Sequence, residues 1–291
     1  MRVSKIAVLA HPLRPATFSV AQKLADNLTA SGVATLVYTR WVSEDVEPLI
    51  PDCDMVIAIG GDGAMLRAAR VCAPYQIPVL GINMGQLGFL TEINTSTEWS
   101  GSLERLLTRD WWVEKRMMLH VSIIRGDEVL ISDHALNDVV ISGSVFGRMI
   151  EVPTTIDGHW TTTYYADALV VATATGSTAY ALACGGPILP PELKNILIVP
   201  AAPHLSMDRP IVLAEGSVVE AKPSSPGRVE IVVTADGRVI LPLEAGDVVR
   251  VQASEYVSQF VRLRGRNYFY RSLLDRLEPR VRRGDQGRGE D

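Results

Sequence analysis

Cysteine is scarce in this sequence: Cys53, Cys72 and Cys184 are the only three among 291 residues, and they lie far apart. An odd, widely separated set excludes a disulfide framework and a cysteine-based zinc site. The five histidines show no metal-ligand spacing among themselves either. We therefore expect no metal ion held by the protein alone, and a reducing, cytoplasmic location.

The sequence also lacks a strong excess of charge and an apolar run that could cross a membrane. The formal net charge is −5, which argues against nucleic acid as a partner. Residues 168–191 carry no charge, but hydroxyl groups and glycines make this stretch too polar and too broken for a transmembrane helix. The N-terminal apolar run is too short for a signal peptide. We expect no membrane partner, and we expect residues 168–191 to be buried, where they could line a pocket.

What the sequence does have is a glycine turn, GGDG at residues 60–63, between two regular elements. Residues 55–59 form an apolar run typical of a strand that is buried on both faces. Good helix formers follow from Ala64 until Pro74 blocks the helix. Such a turn leaves unpaired N–H groups at the positive end of the helix, which favours phosphate binding, and Asp62 stands at its tip. A tight connection with Asp62 as a helix cap is the alternative.

Two other Asp-Gly pairs, Asp157-Gly158 and Asp236-Gly237, lie between β-like runs and predict hairpin turns instead. A second candidate ligand turn is TGSTAY at residues 175–180, which follows the apolar run 169–172. A purely structural turn is the alternative there.

Alternation of strands and helices predicts an α/β domain with a parallel sheet over residues 1–110. Short β-like runs predict a β-rich domain over residues 111–260, for which the family resemblance described below implies nucleotide binding. Residues 261–283 contain eight arginines and predict a closing segment that returns to the N-terminal domain, with a helix whose arginines face solvent. Residues 284–291 are expected to be a disordered tail.

Four blocks in order along the chain resemble the NAD kinase family: GGDG at 60–63, NMGQLGFLTE at 83–92, Asn137-Asp138, and TGSTAYALACGGPIL at 175–189. GGDG alone is shared with lipid kinases and phosphofructokinases, whereas the combination is specific. The resemblance implies transfer of the γ-phosphoryl group of ATP to the 2′-hydroxyl of the adenosine ribose of NAD. It also implies Mg²⁺ or another divalent cation carried on ATP, and a homodimer or homotetramer. A diacylglycerol-type lipid kinase and an inactive nucleotide-binding regulator are the alternatives.

The resemblance also implies roles for individual residues. Asp62 would take or orient the hydroxyl proton, through placement more than basicity. The residues implied to bind NAD are Asp62, Gly63, Asn137, Asp138, Arg148, Tyr165, Asp167, Thr175, Thr178, Ala179, Tyr180 and Ala183. Those implied to bind the ATP phosphates are Gly60, Gly61, Gly63 and Arg67.

The family pattern is not matched everywhere. Asp138 stands where glutamate is frequent, and Tyr165 stands where a basic residue is frequent, so a charge contact to the dinucleotide phosphates from Tyr165 is in doubt. Arg238 stands where the family often has glutamine, and its role is open. Capping roles for Asn137-Asp138 and for Asp167, and a merely exposed charge for Arg148, are the alternatives to ligand binding.

Overall fold

The computed structural model describes residues 3–39, 42–85, 88–94, 99–145, 148–204, 207–225 and 229–277. The predicted tail, residues 284–291, and the end of the closing segment, residues 278–283, lie outside the described residues. Over the described ranges, the helices are all too short or too polar to cross a membrane.

The chain forms six α-helices and seventeen strands over the described ranges. The helices are α1 (Ala16–Ala30), α2 (Ser43–Val46), α3 (Asp62–Cys72), α4 (Trp99–Thr108), α5 (Tyr180–Ala183) and α6 (Tyr268–Leu277), with 3₁₀ turns at Glu47–Asp52, Ala73–Tyr75 and Gly176–Thr178. The first strands are β1 (Lys5–Ala10), β2 (Ala34–Tyr38), β3 (Met55–Ile59), β4 (Val79–Asn83), β5 (Ile93–Asn94), β6 (Trp112–Arg125), β7 (Glu128–Ala135) and β8 (Asp138–Gly143). The remaining strands are β9 (Ile150–Ile156), β10 (His159–Ala166), β11 (Ala168–Thr173), β12 (Asn195–Ala201), β13 (Ile211–Ala214), β14 (Val219–Ala221), β15 (Ile231–Ala235), β16 (Arg238–Leu243) and β17 (Val248–Arg262).

The N-terminal part is built on parallel strands in the order β4-β3-β1-β2, with β5 added beside β4. All five residues of β3 are buried, as its apolar run predicts. Helices α1 and α4 pack on one face of this sheet, and α3 packs on the other. The glycine turn therefore lies at the carboxyl end of β3, where ligands of such sheets bind.

The C-terminal part is β-rich and consists of two packed layers. Strands β13-β12-β11-β8-β15-β16 form an antiparallel sheet of six strands. Strands β6, β7, β9, β10, β14 and β17 form the other layer, and they continue the parallel sheet because β17 pairs with β4 at Phe260 and Val79. An apolar core of valine, isoleucine and leucine fills the space between the layers.

Helix α3 lies where the two parts meet. Its buried residues Met65, Ala68 and Ala69 pack against the parallel sheet, and the same apolar cluster includes Met118 and Leu136 of the β-rich part. Packing from both sides fixes the start of α3 relative to both parts of the molecule.

The predicted fold class is confirmed: an α/β N-terminal domain with a parallel sheet, a β-rich C-terminal domain, and a C-terminal helix that packs back with Tyr268 and Phe269 buried. The domain limits at residues 110, 260 and 283 remain predictions. Both Asp-Gly pairs occupy hairpin turns, with both residues of each pair in the left-handed region. Arg262 lies before the closing helix: it ends β17 and is fully buried. The side chains of Arg271 and Arg276 on α6 lie outside the described residues, so the expectation that the arginines of the helix face solvent stays a prediction.

The packing of Gly81 in β4 yields a stability prediction. A Cβ atom there would lie 2.6 Å from Met65 Sδ and 2.9 Å from Thr91 Cα. Gly81→Ala should therefore lower the free energy of unfolding by about 1–3 kcal/mol through overpacking, measured by urea denaturation.

Gly101→Ala is the matched control, because Gly101 lies inside α4 and a Cβ there would meet nothing within 4 Å. This variant should be about 0.5–1 kcal/mol more stable than the parent protein. Equal effects of the two substitutions would contradict the packing argument.

Candidate functional site

The glycine turn brings its acid to the first position of a buried helix. Gly60 has φ +154°, and a Cβ there would lie 2.7 Å from the Cβ of Ala64, so the turn requires glycine. Gly61 is the N-terminal capping residue of α3, and Asp62 is the first helical residue. The first N–H groups of a helix have no partner within it, which leaves donors for an anion at this turn.

The Asp62 carboxylate is held by the block at residues 83–92. Oδ2 accepts the Phe89 N–H at 2.8 Å, and Oδ1 accepts the Leu90 N–H at 3.0 Å. A Cβ at Gly88 would collide with this carboxylate, so glycine is required for the close approach. Since a carboxylate has about four acceptor sites, two bonds leave capacity for a substrate hydroxyl.

The backbone of Asn137 and Asp138 is held by Asp236, which the sequence predicts only as part of a hairpin turn. Oδ1 of Asp236 accepts the Asn137 N–H at 2.7 Å and the Asp138 N–H at 3.3 Å, and Oδ2 accepts the Leu136 N–H at 2.9 Å. Burial and the neighbouring Asp236 raise the pKa of Asp138 to about 7. Burial also raises the pKa of Asp236, although its three backbone hydrogen bonds oppose the shift. The cleft therefore contains two carboxyl groups that bind protons more readily than usual.

The second predicted ligand turn packs directly on this pair. A Cβ at Gly176 would collide with the Asn137 carbonyl, so the turn needs glycine there. Thr173 Oγ1 donates to the Leu136 carbonyl at 2.6 Å and accepts the Gly176 N–H at 3.1 Å. The Asn137-Asp138 pair and the TGSTAY turn thus form one rigid wall.

Four of the predicted NAD-binding residues line one cavity of about 390 Å³. Its volume suits a small ligand. Leu66 of α3 lines it as well, one helical turn after Asp62, so the helix that begins at Asp62 forms part of the cavity wall. The lining residues are Leu66, Asn137, Asp138, Val140, Ser142, Ala179, Tyr180, Thr234, Asp236 and Gly237.

Tyr180 lines the cavity and is 47% exposed. Burial raises the pKa of Tyr180, and so do the neighbouring Cys184 and the charges of Asp167 and Asp138. Cys184 is a packing residue with a raised pKa, caused first by burial.

Cationic groups gather on the other side of the glycine turn. Burial lowers the pKa of His11, and the charges of Arg14 and Arg67 lower it further, so these side chains are close together. The Leu13 N–H donates to His11 Nδ1 at 3.2 Å, which leaves the proton of the neutral ring on Nε2. Arg67 was predicted from the sequence, whereas His11 and Arg14 were not. In the sequence, the only feature that points to His11 and Arg14 is their position shortly after β1.

Other predicted residues lie near the cavity or away from it. Thr175 is buried and accepts a hydrogen bond from Arg116 at 3.2 Å. Tyr165 donates to Glu151 at 3.3 Å, and Arg238 forms an ion pair with Asp133. The predicted NAD-binding residues outside the described lining are Asp62, Gly63, Arg148, Tyr165, Asp167, Thr175, Thr178 and Ala183, of which Gly63, Arg148 and Ala183 are exposed.

A larger cavity of about 600 Å³ lies elsewhere, beside Ser224, Glu230 and Glu244. Its described lining falls entirely between residues 222 and 246, outside all four sequence blocks. Chemistry rather than size therefore identifies the functional site, since the smaller cavity combines paired carboxyl groups, an exposed tyrosine and a residue of the helix that follows the glycine turn.

Comparison with known proteins agrees with this geometry. The model of the ATP-NAD kinase N-terminal domain matches residues 13–111, and that of the ATP-NAD kinase C-terminal domain matches residues 136–263. An NAD kinase from Chloroflexus aurantiacus is 44% identical over 94% of this chain and 99% of its own length. One from Citrifermentans bemidjiense is 38% identical over 92% of this chain and 96% of its own length.

Two solved structures share the fold. Yeast NADH kinase, solved with NADH, superimposes with a TM-score of 0.83 and 22% identity over 100% of this chain and 91% of its own. An NAD kinase from Archaeoglobus fulgidus, solved with ATP, gives a TM-score of 0.74 and 24% identity over 92% of this chain and 97% of its own.

The fold, the glycine turn and these relatives together define a kinase, an enzyme that transfers phosphoryl groups. More narrowly, the chain belongs to the ATP-NAD kinase family. The resemblance carried by the four sequence blocks is thereby confirmed.

The raised pKa of Asp138 yields a prediction for stability against pH. Its pKa is about 7 in the folded protein against an ordinary value of 3.8, so the folded state holds an extra proton between these values. The contribution of Asp138 to stability therefore falls as pH rises from about 4 to about 7. Asp138→Asn removes this loss, so the stability of the variant relative to the parent should rise by on the order of 2–4 kcal/mol across that window.

Urea denaturation of both proteins between about pH 4 and pH 8 measures this difference. Asp127→Asn is the control, because Asp127 lies exposed in the β6–β7 turn, and its difference from the parent should not change with pH. Parallel pH profiles for Asp138→Asn and the parent would contradict the raised pKa.

Proposed function

We propose that this protein transfers the γ-phosphoryl group of ATP to the 2′-hydroxyl of the adenosine ribose of NAD, which yields NADP. One observation supports the proposal: helix α3 begins with Asp62 at the glycine turn, and one helical turn later its Leu66 lines the cavity that Asn137, Asp138 and Tyr180 also line. A phosphate donor on one side and a nucleotide hydroxyl on the other would then meet at Asp62.

On the acceptor side, the wall at residues 136–138 and the TGSTAY turn supply the contacts. Asp138 and Asn137 would hydrogen-bond the ribose or adenine part of NAD, and the exposed ring of Tyr180 would stack on a base. Asp167 would face the nicotinamide riboside end. Thr178, Ala179 and Ala183 would complete the pocket along the 3₁₀ turn and α5, and Thr175 would support it from within.

On the donor side, the first N–H groups of α3 and the cationic side chains beside them would hold the triphosphate. Phosphoryl transfer needs mainly positioning and stabilisation of negative charge, which such donors supply. Arg67 would contact phosphate oxygens as a guanidinium fork. His11 would donate from Nε2, because Nδ1 already accepts the Leu13 N–H.

We propose that the divalent cation arrives on ATP. Among the described residues, no three histidine, cysteine or acidic side chains converge as a metal site. Asp62 alone supplies a carboxylate at the glycine turn, which fits a cation whose other ligands are phosphate oxygens and water. The cation would supply charge neutralisation at the transferred phosphoryl group.

Two further proposals follow from family membership. We propose that the protein works in the cytoplasm, where its proposed substrates are present and where a reducing environment keeps its three cysteines free. We also propose that it assembles as a homodimer or homotetramer. Gel filtration with light scattering would show a single species of two or four subunits, and a monomer at micromolar concentration would contradict this.

The reaction is tested by incubating the pure protein with ATP and Mg²⁺ and one of three acceptors: NAD, NADH or diacylglycerol. We expect NADP from NAD and no phosphorylation of diacylglycerol. Inorganic polyphosphate in place of ATP defines the donor, and excess EDTA should abolish turnover because the cation is removed. Failure to form NADP would overturn the proposal, and full activity in EDTA would overturn the role of the metal.

Replacing Asp62 separates its chemical role from binding. Asp62→Asn should lower kcat by about a hundred- to ten thousand-fold while NAD affinity by calorimetry changes only a few-fold. One amide N–H₂ group would face a backbone donor of Phe89 or Leu90, so stability should fall by about 1–3 kcal/mol. Asp127→Asn is the control for both measurements. An equal loss of NAD affinity and kcat would mean that Asp62 serves the architecture of the cleft.

A further inference from the structure

A cluster of charged side chains is buried where the N-terminal and C-terminal parts meet. Strands β6 and β17 pair in antiparallel register with Phe260 opposite Glu114, so alternate residues Glu114, Arg116, Phe260 and Arg262 share one face. The exposed fractions of the Glu114, Arg116 and Arg262 side chains are 1%, 3% and 0%. Water therefore cannot screen these charges.

Glu114 is the centre of the cluster. Its Oε2 accepts from Arg116 Nη2 and from Arg262 Nε, both at 2.8 Å. The hydroxyl of Tyr268, on α6, donates to Oε1 at 2.8 Å and accepts from Arg116 Nη2 at 2.7 Å. Burial alone would raise the pKa of Glu114, but the two arginines outweigh it and hold the pKa below its usual value. Glu114 is therefore charged, and both guanidinium groups are oriented by it.

Each arginine also reaches a group that belongs to the cleft. Arg116 Nη1 donates to the Thr175 hydroxyl at 3.2 Å, at the start of the TGSTAY turn. Arg262 Nη1 donates to the Leu90 carbonyl at 2.9 Å, and the N–H of Leu90 holds the Asp62 carboxylate. A continuous path of hydrogen bonds thus joins Asp62 to Thr175 across the interior.

Stability alone does not account for such a cluster. Ion pairs that are fully removed from water lose most of their attraction to the cost of desolvation, and well-packed apolar residues stabilise as well or better. The Nε atom of Arg116 is buried without a hydrogen-bond partner among the described residues, so the position of this side chain does not satisfy all of its own hydrogen-bond donors. What the cluster provides is the fixed separation of two opposite walls of the cleft.

We propose that Glu114, Arg116, Arg262 and Tyr268 form a positioning relay that sets the Asp62 carboxylate relative to the nucleotide turn at Thr175. Helix α6 takes part in it through one hydroxyl group, although α6 lies outside the cavity lining. This inference rests on the proposed function for its kinetic readout, and it adds residues that no sequence block contains. Removing the hydroxyl of Tyr268 frees Arg116 and Glu114 to shift, which should misplace the reacting groups more than it weakens substrate binding.

The first test compares Tyr268→Phe with Tyr164→Phe. Both remove a single hydroxyl from a buried residue, since Tyr268 is 4% and Tyr164 0% exposed, but the Tyr164 hydroxyl donates to Met207 Sδ, at 3.9 Å, and not to a group of the relay. We expect Tyr268→Phe to lower kcat about tenfold with KM for NAD and ATP within about twofold, and Tyr164→Phe to leave both unchanged. Identical kinetics for the two variants would overturn the relay.

The second test asks whether the two ends of the relay act together. Thr175→Val removes the acceptor of Arg116, while Thr175→Ser keeps the hydroxyl, so kcat should be higher for Thr175→Ser than for Thr175→Val. In the double variant Thr175→Val with Tyr268→Phe, the loss of kcat should be smaller than the product of the single losses. The urea midpoints of the parent, Thr175→Val, Tyr268→Phe and the double variant should follow the same pattern. The shift in the double variant should be smaller than the sum of the shifts in the two single variants. Multiplicative kinetics with additive midpoints would overturn the relay.

The urea cycle requires no catalysis, so it separates the two proposals. A parent protein that fails to phosphorylate NAD would refute the proposed function, and the midpoints alone would then decide the relay. Should Tyr268→Phe fail to fold, the comparison of Thr175→Val with Thr175→Ser decides instead, and equal kcat values for these two would overturn the inference.

Discussion

The pairing of β17 with neighbours from both parts of the chain is the constraint on which the cleft depends. Strand β17 pairs with β6 from Val248 to Arg262, with β14 near its start and with β4 at Phe260. A parallel sheet and an antiparallel layer thereby become one sheet. The strand before the glycine turn and the strand from which Arg116 reaches Thr175 therefore belong to one hydrogen-bonded sheet, which resists relative motion far better than a linker would.

Burial of charge follows from that continuity. Where the two parts join, the buried residues of β6 and β17 include glutamate and arginine as well as valine and phenylalanine. Phe260 lies beside the guanidinium groups of Arg116 and Arg262, at 5.6 and 5.5 Å from its ring centroid, so the apolar and ionic parts of the junction pack together. A second carboxylate, Glu92, accepts from the Leu263 and Arg264 backbone and fixes where β17 ends.

Much of the fold and part of the site could be predicted from local pattern. The run at residues 55–59, the glycine turn and the helix up to Pro74 are signals within a few residues of one another, and the structure reproduces them with the helix starting at Asp62. Asn137, Asp138 and Tyr180 lie at the cavity because blocks of sequence carry them together with the turns that place them.

What could not be predicted depends on contacts between distant residues. Asp236 has the local signature of a hairpin turn and nothing else, and its bonds to residues 136–138 span about a hundred positions. Arg262 lies in an arginine-rich segment that favours solvent, but Glu114 and Glu92 lie 148 and 170 residues away in sequence. Only tertiary pairing reveals that such a charge has partners, which is why its burial contradicts the expectation from composition.

The two Asp-Gly hairpins, finally, are alike in sequence and in backbone angles but differ in what they allow. At Asp157-Gly158 the carboxylate binds the Val218 N–H at the far end of the sheet, whereas at Asp236-Gly237 it supports the wall of the nucleotide pocket. A peptide tag or a new pair of chain termini could be engineered at the first turn without touching the cleft. The same insertion at Asp236-Gly237 would disrupt the wall of the nucleotide pocket.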